Sequence, residues 1–138
     1  MRIDIVPYSK NREDIVRIRH KVFVIGQNVP PDLEIDGRDP DCVHVLARDD
    51  DRRPVGTARM QPDGKIGRMA VLEPFRGRGI GRRMLDALIR EARSRGLARV
   101  YLNSQTHAAV FYAKAGFESE GPEFFEAGIP HVRMVLPL

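Results

Sequence analysis

Hydrophobic and polar residues recur at regular spacings along most of this 138-residue chain, and these spacings predict its elements. Residues 2–6 alternate between polar and apolar, which predicts a half-buried strand. Asn11 is predicted to cap the helix that follows, with Asp14 three residues on as a capping partner, and Gly26 to end it. The apolar stripe of that helix consists of Ile15, Ile18, Val22 and Phe23.

Three short apolar segments separated by turn residues follow, and they predict a meander of strands over 42–47, 54–60 and 66–72. Gly67 inside the third strand indicates a bulge. A loop rich in glycine then leads into a helix that is predicted to end at Gly96. The buried face of that helix is predicted to consist of Ile80, Met84, Leu85, Leu88, Ile89 and Ala92.

The last third of the chain predicts a strand over 98–103, a short helix over 108–115 and two closing strands over 117–126 and 129–138. A strand meander followed by a strand–helix–strand crossover requires a mixed sheet. The predicted fold class is therefore α/β, with a mixed, mostly antiparallel, twisted sheet and helices on both faces. The length suits one domain that spans residues 1–138.

Composition narrows the function classes. The net charge is +4 and the isoelectric point about 9.6, which suits an acidic ligand or nucleic acid. No run of basic residues with interleaved aromatic residues occurs, and this speaks against nucleic acid. The single cysteine, Cys42, excludes an internal disulfide and fits a reducing compartment. With no signal-peptide pattern and no membrane-length apolar run, we expect a cytoplasmic protein without a membrane partner.

The most informative stretch runs from Met69 to Gly81. Pro74 ends its apolar part, and three glycines then alternate with other residues before the helix begins. Glycines expose the amides of a tight loop, and the start of a helix adds unpaired N–H groups with a positive dipole end. The stretch therefore predicts a phosphate or pyrophosphate site. Its glycine spacing matches neither the dinucleotide-binding fingerprint nor the Walker loop.

Two motifs resemble those of the GNAT (GCN5-related N-acetyltransferase) superfamily. Arg76-x-x-Gly79-x-Gly81 is similar to its acyl-CoA pyrophosphate loop, and residues 108–117 are similar to its Ala-x-x-x-Tyr-x-x-x-Gly-Phe segment. The predicted order of elements also resembles that fold, which implies a splayed pair of parallel strands at the acyl-CoA site. The segments 22–24, 34–36 and 105–106, combined with the ending from Gly128 to Met134, resemble the ElaA/YjcF-type branch, and the ending is also similar to that of glyphosate N-acetyltransferase-like proteins.

The resemblance implies acetyl-CoA as co-substrate and no metal. In the family the strand edge pairs with the pantetheine arm, the loop amides surround the pyrophosphate, and an asparagine contacts the pantetheine where this chain has Gln105. The residues that this implies for acetyl-CoA binding are Met69, Ala70, Val71, Arg76, Gly77, Arg78, Gly79, Ile80, Gly81, Arg82, Gln105 and Tyr112. Arg83 is a further source of charge near the phosphates.

The same resemblance implies Tyr112 as the acid that protonates the departing sulfur. For the base, His131 is the first choice, because a histidine titrates near neutral pH. The alternatives are His107, His44, Glu34 and Glu73. Phe23, Glu34 and His44 are predicted to bind the substrate. The acidic segment around Glu34 (Asp32, Glu34, Asp36, Asp39 and Asp41) fits either a solvated loop or a wall that attracts an amine.

These observations predict an acetyl-CoA-dependent N-acetyltransferase that acts on a primary amine of a small molecule. The resemblance implies direct attack in a ternary complex, without an acyl-enzyme, and leaves a homodimer open. One alternative is a non-catalytic module that binds or senses acyl-CoA. Another is an acetyltransferase for a macromolecular amine such as aminoacyl-tRNA, which the basic isoelectric point suggests.

Overall fold

A seven-stranded mixed sheet forms the centre of the computed structural model, which describes residues 1–138. Its strands lie in the order β1-β2-β3-β4-β5-β7-β6, and every neighbouring pair is antiparallel except β4 and β5. The strands are β1 (Arg2–Val6), β2 (Val43–Arg48), β3 (Pro54–Met60), β4 (Lys65–Val71), β5 (Arg99–Gln105), β6 (Glu118–Glu126) and β7 (Ile129–Pro137). The predicted order of elements is confirmed, and the strand boundaries differ from the predicted ones by at most two residues.

Helices cover both faces of this sheet. They are α1 (Tyr8–Arg19), α2 (Pro31–Glu34), α3 (Ile80–Ser94) and α4 (Ala109–Lys114). A π-helical turn (His20–Ile25) extends α1, and short 3-10 turns lie at Asp39–Asp41, Glu73–Phe75 and Thr106–Ala108. None of these helices is long and apolar enough to cross a membrane.

Alternation along the strands divides the apolar residues between two cores. Leu46 and Ala70 point toward α1 and pack with Ile15, Ile18 and Val22. The larger core lies on the other face, where α3 packs on the meander. The face of α3 that is buried there includes the six predicted residues, Ile80, Met84, Leu85, Leu88, Ile89 and Ala92. The helical spacing of apolar residues therefore located this helix correctly.

Strands β4 and β5 separate along their length. They pair only at Lys65 with Tyr101 and at Ile66 with Leu102, near their first residues. The predicted bulge near Gly67 is confirmed by a register shift against β3, and Arg68 beside it takes a φ of +50°. Because the strands diverge beyond this point, an opening forms between their carboxyl ends.

One prediction about the first forty residues is wrong. Helix α1 begins at Tyr8 after Pro7, and Asn11 lies inside it, where its side-chain amide donates to the Pro7 carbonyl oxygen at 2.9 Å. Proline at the preceding position fixes an extended backbone, so the helix can begin without a side-chain cap. The acidic segment forms α2 and a 3-10 turn, and three of its carboxylates enter ion pairs rather than solvent.

Candidate active site

The opening between β4 and β5 continues into a cleft of about 1230 Å³. The glycine loop, Tyr112, His131, Gln105, Phe23 and Glu34 all contribute to its lining, together with Met69, Ala70 and Val71 of β4. The chain therefore brings residues from both ends and the middle of the sequence to one place. Most of the predicted site residues line this cleft, and His44 and Arg78 do not.

The glycine loop lies at one end of the cleft with its backbone exposed. Gly77 and Gly79 take φ values of +77° and +79°, which side chains with a Cβ rarely adopt. The Arg76 side chain fixes the loop, since its Nε donates to the Val71 carbonyl oxygen at 2.9 Å. No side chain caps α3, and its first backbone bond runs from the Arg83 N–H to Gly79, so the preceding amides are free for an anion.

The arginines of the loop and of the first turn of α3 differ in the contacts that they make. Arg78 lies over the Phe75 ring, 5.3 Å from its centroid. Arg82 is paired with Asp86 one helical turn away, at 3.0 Å, so part of its charge is already compensated. Arg83 makes no ion pair and remains available. The loop thus offers exposed backbone amides, rather than a fixed arginine clamp, to an anion.

Tyr112 lies in the middle of the cleft wall, between the edges of two aromatic rings. The ring centroids of Phe111 and Phe117 are 5.0 and 6.0 Å from that of Tyr112. Its hydroxyl has one weak partner, the Met69 sulfur at 3.8 Å. Burial raises the pKa of Tyr112 to about 12. The phenol is therefore protonated at neutral pH and its proton faces β4, where the strands diverge.

His131 lies in β7, opposite Gln105 of β5, and its side chain is 8% exposed. The Nδ1–H donates to the Ile129 carbonyl oxygen at 2.7 Å, which leaves Nε2 without a proton in the neutral ring. The ring stacks on Phe124 with centroids 6.0 Å apart. The backbone contact and the stacking fix the ring, so Nε2 is a positioned proton acceptor on the cleft wall.

Gln105 bridges the cleft at the carboxyl end of β5. Its Nε2 donates to Gln27 Oε1 at 2.9 Å, and Gln27 follows the π-helical turn. Phe23, in that turn, lines the cleft on the same side. The longer amide side chain therefore connects the β5 edge to the α1 side of the cleft.

The α1 side of the cleft contains an ion-pair network that the sequence did not predict, and several of its members line the cleft. Arg19 is 1% exposed and binds Glu34 and Asp39, the latter at 2.7 Å. Arg59 of β3 binds Asp39 at 2.8 Å and Asp36 as well. The partners lie 15 to 23 residues apart in sequence, so no local pattern reveals them.

The network changes the acidity of its members. Hydrogen bonding from Arg59 holds the pKa of Asp36 well below its usual range. Burial alone raises the pKa of Asp39, but hydrogen bonds from Arg19 and Arg59 together lower it. Arg68 joins the network by donating to the Glu34 carbonyl oxygen at 3.1 Å and lying 3.4 Å from Asp36. The negative charges of the network's carboxylates are thus compensated by arginines, and these ion pairs hold α2 against the sheet.

The remaining candidates are dispersed. His44 is 1% exposed and stacks on Tyr8 under α1, and its Nε2 lies 2.8 Å from the Asp39 carbonyl oxygen. Burial lowers the pKa of His44, as expected for a core histidine. His44 and Glu73 do not line the cleft, whereas His107 does. Cys42 donates to the Arg38 carbonyl oxygen at 3.2 Å, and burial raises the pKa of its thiol.

Comparison with known families agrees with this geometry. Residues 34–138 match the acetyltransferase (GNAT) domain, which covers the glycine loop, Tyr112 and His131. The chain belongs to this acetyltransferase family. It is 38% identical over 135 residues to the uncharacterized N-acetyltransferase YjcF of Bacillus subtilis, a match that covers 92% of this chain and 95% of YjcF. The resemblance to the GNAT superfamily and its ElaA/YjcF branch is confirmed, and the chain is an N-acetyltransferase.

Solved structures show the same fold. ElaA of Escherichia coli superposes with a TM-score of 0.87 at 28% identity, covering 98% of this chain and 99% of ElaA. An aminoglycoside 6'-N-acetyltransferase complexed with coenzyme A superposes with a TM-score of 0.79, covering 99% and 97%. Its identity of 17% makes this second likeness one of fold alone. The mixed sheet with one parallel pair is therefore the GNAT fold.

Proposed function

We propose that this protein transfers the acetyl group of acetyl-CoA to a primary amine of a small molecule, by direct attack in a ternary complex. The observation that carries the proposal is one cleft that contains an uncapped glycine loop, a protonated phenol and an imidazole with a free Nε2. The fold neighbour solved with coenzyme A supports the choice of co-substrate. Cys42 lies outside the cleft, which supports transfer without an acyl-enzyme.

The residues present suit acetyl-CoA. The amides of Ile80, Gly81 and Arg82 precede the hydrogen-bond ladder of α3 and suit the pyrophosphate. The β4 edge at Met69 and Val71 diverges from β5, so its backbone groups can pair with an extended amide-containing arm. Acetyl-CoA supplies the activated acetyl group. The protein supplies the groups that bind the phosphates and the side chains that transfer protons.

Two proton transfers are assigned to the cleft residues. His131 Nε2 accepts one proton from the ammonium, which frees the nitrogen lone pair to form the C–N bond as the C–S bond breaks. Tyr112 supplies a proton to the departing sulfur. The phenol is restored by the second N–H proton of the amine through solvent, so one proton is released overall.

The proposal is tested by incubating the protein with acetyl-CoA and a panel of small amines while free thiol is measured. We expect thiol release that depends on both the protein and an amine, with the acetylated amine identified by mass spectrometry. Thiol release without an amine would indicate hydrolysis instead. Absence of transfer to every amine, despite binding of acetyl-CoA, would favour a non-catalytic acyl-CoA-binding module.

Replacement of His131 tests the assignment of the base. In the wild type, kcat/KM for the amine should rise with pH through the range in which histidines titrate, roughly pH 6–7. His131→Ala should lose this inflection and recover part of its activity at high pH, where free amine is abundant. His107→Ala, at another cleft histidine, is the matched control and should keep the inflection. A folded His131→Ala protein with the wild-type pH profile would disprove the assignment.

A further inference from the structure

Glu126 lies at the end of β6, in the hairpin that carries His131. Its Oε2 is 3.5 Å from His131 Nε2, and its Oε1 accepts from the Asn103 side-chain amide at 3.4 Å. The side chain is 49% exposed and lines the cleft, so it reaches both the histidine and incoming molecules. Ala127 and Gly128 form a two-residue turn that brings Glu126 back toward His131.

The hairpin turn fixes the position of Glu126 relative to His131. Ala127 and Gly128 take φ values of +52° and +73°, the conformation of a type I′ turn, which matches the twist of the flanking strands. Glu126 is thereby paired with Ile129, and His131 with Phe124, so Glu126 and His131 are diagonal neighbours. The carboxylate position is consequently set by the backbone of β6 and β7.

The Nδ1–H of His131 is already donated to Ile129, so the carboxylate of Glu126 faces the unprotonated Nε2. A negative charge at that place favours the ring that has gained a proton. It also attracts an ammonium group, which is how a primary amine arrives at neutral pH. No other carboxylate lies within ion-pair distance of His131.

We infer that Glu126, held by Asn103, is a positioning and specificity residue that draws the acceptor's ammonium group to His131 and stabilises the imidazolium formed there. This inference rests on the proposed acetyl transfer. It implies that the preferred acceptors are cationic amines whose charged nitrogen docks between Glu126 and His131. A hydrophobic or weakly basic amine gains nothing from this carboxylate and should be a poorer acceptor.

Other charged or titratable side chains near His131, on β7 and the neighbouring strands, have partners of their own; they include Glu120 of β6, Arg133 of β7 and Tyr101 of β5. The 3-10 turn and the helix α4 that pack against β7 bring His107 and Tyr112, neither of which is a carboxylate. Glu120 is paired with Arg133 at 3.4 Å, and the Tyr101 hydroxyl donates to Asp63. Across the cleft, Glu34 is bound by Arg19 and Arg68. Glu126 is therefore the carboxylate whose removal should act on His131.

The decisive variant is Glu126→Gln, which keeps the size and removes the charge. We expect the inflection in kcat/KM for the amine to move to lower pH, because the carboxylate beside Nε2 favours the protonated ring. KM for the amine should rise about two- to fivefold, while KM for acetyl-CoA stays unchanged. Glu120→Gln removes a carboxylate from the same strand without touching His131, and should change neither quantity. Glu126→Asp should retain part of the wild-type behaviour.

A measurement on the protein alone separates this inference from the proposed reaction. The ring resonances of His131, assigned with His131→Gln, are titrated by NMR in the wild type, Glu126→Gln and Glu120→Gln. A lower midpoint in Glu126→Gln alone supports the contact. An identical midpoint, or an unchanged KM for every amine, overturns it. If no amine is acetylated by the wild type, the proposed reaction fails, and the ring titration still decides the role of Glu126.

Discussion

At the scale of single residues, burial without a polar partner keeps the phenol of Tyr112 protonated. Its hydroxyl contacts only the Met69 sulfur, and burial raises its pKa to about 12. Tyr101, by comparison, also lines the cleft, but its hydroxyl donates to Asp63 and its ring lies between two arginines. Of the two tyrosines, Tyr112 alone has an uncommitted proton for a departing thiolate.

Tyr112→Phe is expected to lower kcat by about 10²- to 10⁴-fold, the usual contribution of general acid catalysis. KM for acetyl-CoA should change less, because the lost proton donor acts as the thiolate departs. Steady-state kinetics over a range of acetyl-CoA concentrations checks both constants. Tyr101→Phe is the matched control and should retain kcat. Near wild-type turnover in Tyr112→Phe, with chemistry limiting, would reduce this residue to an aromatic packing role.

The two histidines that alternate with apolar residues, His44 and His131, show where residue-level prediction stops. Each lies in a strand, and alternation states only that a side chain points to one face. Helix α1 covers the face that His44 reaches, whereas His131 lines the cleft. Which face of which strand a helix covers is a tertiary property, and strand spacing does not contain it.

At the scale of elements, the strand–loop–helix unit around Gly79 was predictable because its determinants are local. Glycines permit the positive φ values, Arg76 fixes the loop to Val71, and helical spacing defines α3. The Glu126–His131 hairpin was equally local but depends on a turn whose first residue is Ala127, a residue type that rarely takes positive φ. The turn was therefore missed, and Glu126 with it.

Gly79→Glu is expected to abolish measurable acetyl-CoA binding. The added carboxylate would lie in the loop where we propose that the pyrophosphate binds, and like charges repel. No atom lies within 4 Å of a Cβ at this position, so the cost to stability is that of the positive φ, about 1–3 kcal/mol. The fold should therefore survive, and isothermal titration calorimetry measures the affinity.

Gly96→Glu is the matched control for this variant. Gly96 has a φ of +74° and open space around it, and it follows the other end of α3, remote from the loop. The Gly96→Glu variant has the same charge change and a similar backbone strain, so it should bind acetyl-CoA as the wild type does. Equal affinities of the two variants would place the phosphates elsewhere.

At the scale of the whole molecule, the ion-pair network joins parts of the chain that local patterns treat separately. Arg19 from α1, Arg59 from β3 and Arg68 from β4 meet carboxylates of the 34–39 segment at the α1 side of the cleft. The acidic segment is recognisable in the sequence, but its surroundings are not, because the partner arginines are spread from Arg19 to Arg68. The network therefore positions the α1 side of the cleft through long-range contacts.

The network also predicts how stability depends on pH. The pKa of Asp36 and that of Asp39 are lowered in the folded state by their arginine partners, relative to about 3.9 in an unfolded chain. The unfolded state therefore binds more protons as the pH falls below about 4, and the stability that these carboxylates contribute above that value is lost as the pH drops toward their folded-state values. Thermal melts between pH 7 and pH 2 should show this loss.

Arg59→Met identifies the source of that loss. Removing the guanidinium leaves Asp36 and Asp39 short of a partner in a buried place, which should cost about 3–5 kcal/mol at neutral pH. Because the two carboxylates then gain less from being charged in the folded state, the decline of stability below pH 4 should become shallower. Arg53→Met, which removes an exposed arginine from a surface pair with Asp49, controls for the change in net charge and should stay close to the wild type at pH 7. Equal acid sensitivity of Arg59→Met and the wild type, measured by urea unfolding at each pH, would assign the acid loss to other carboxylates.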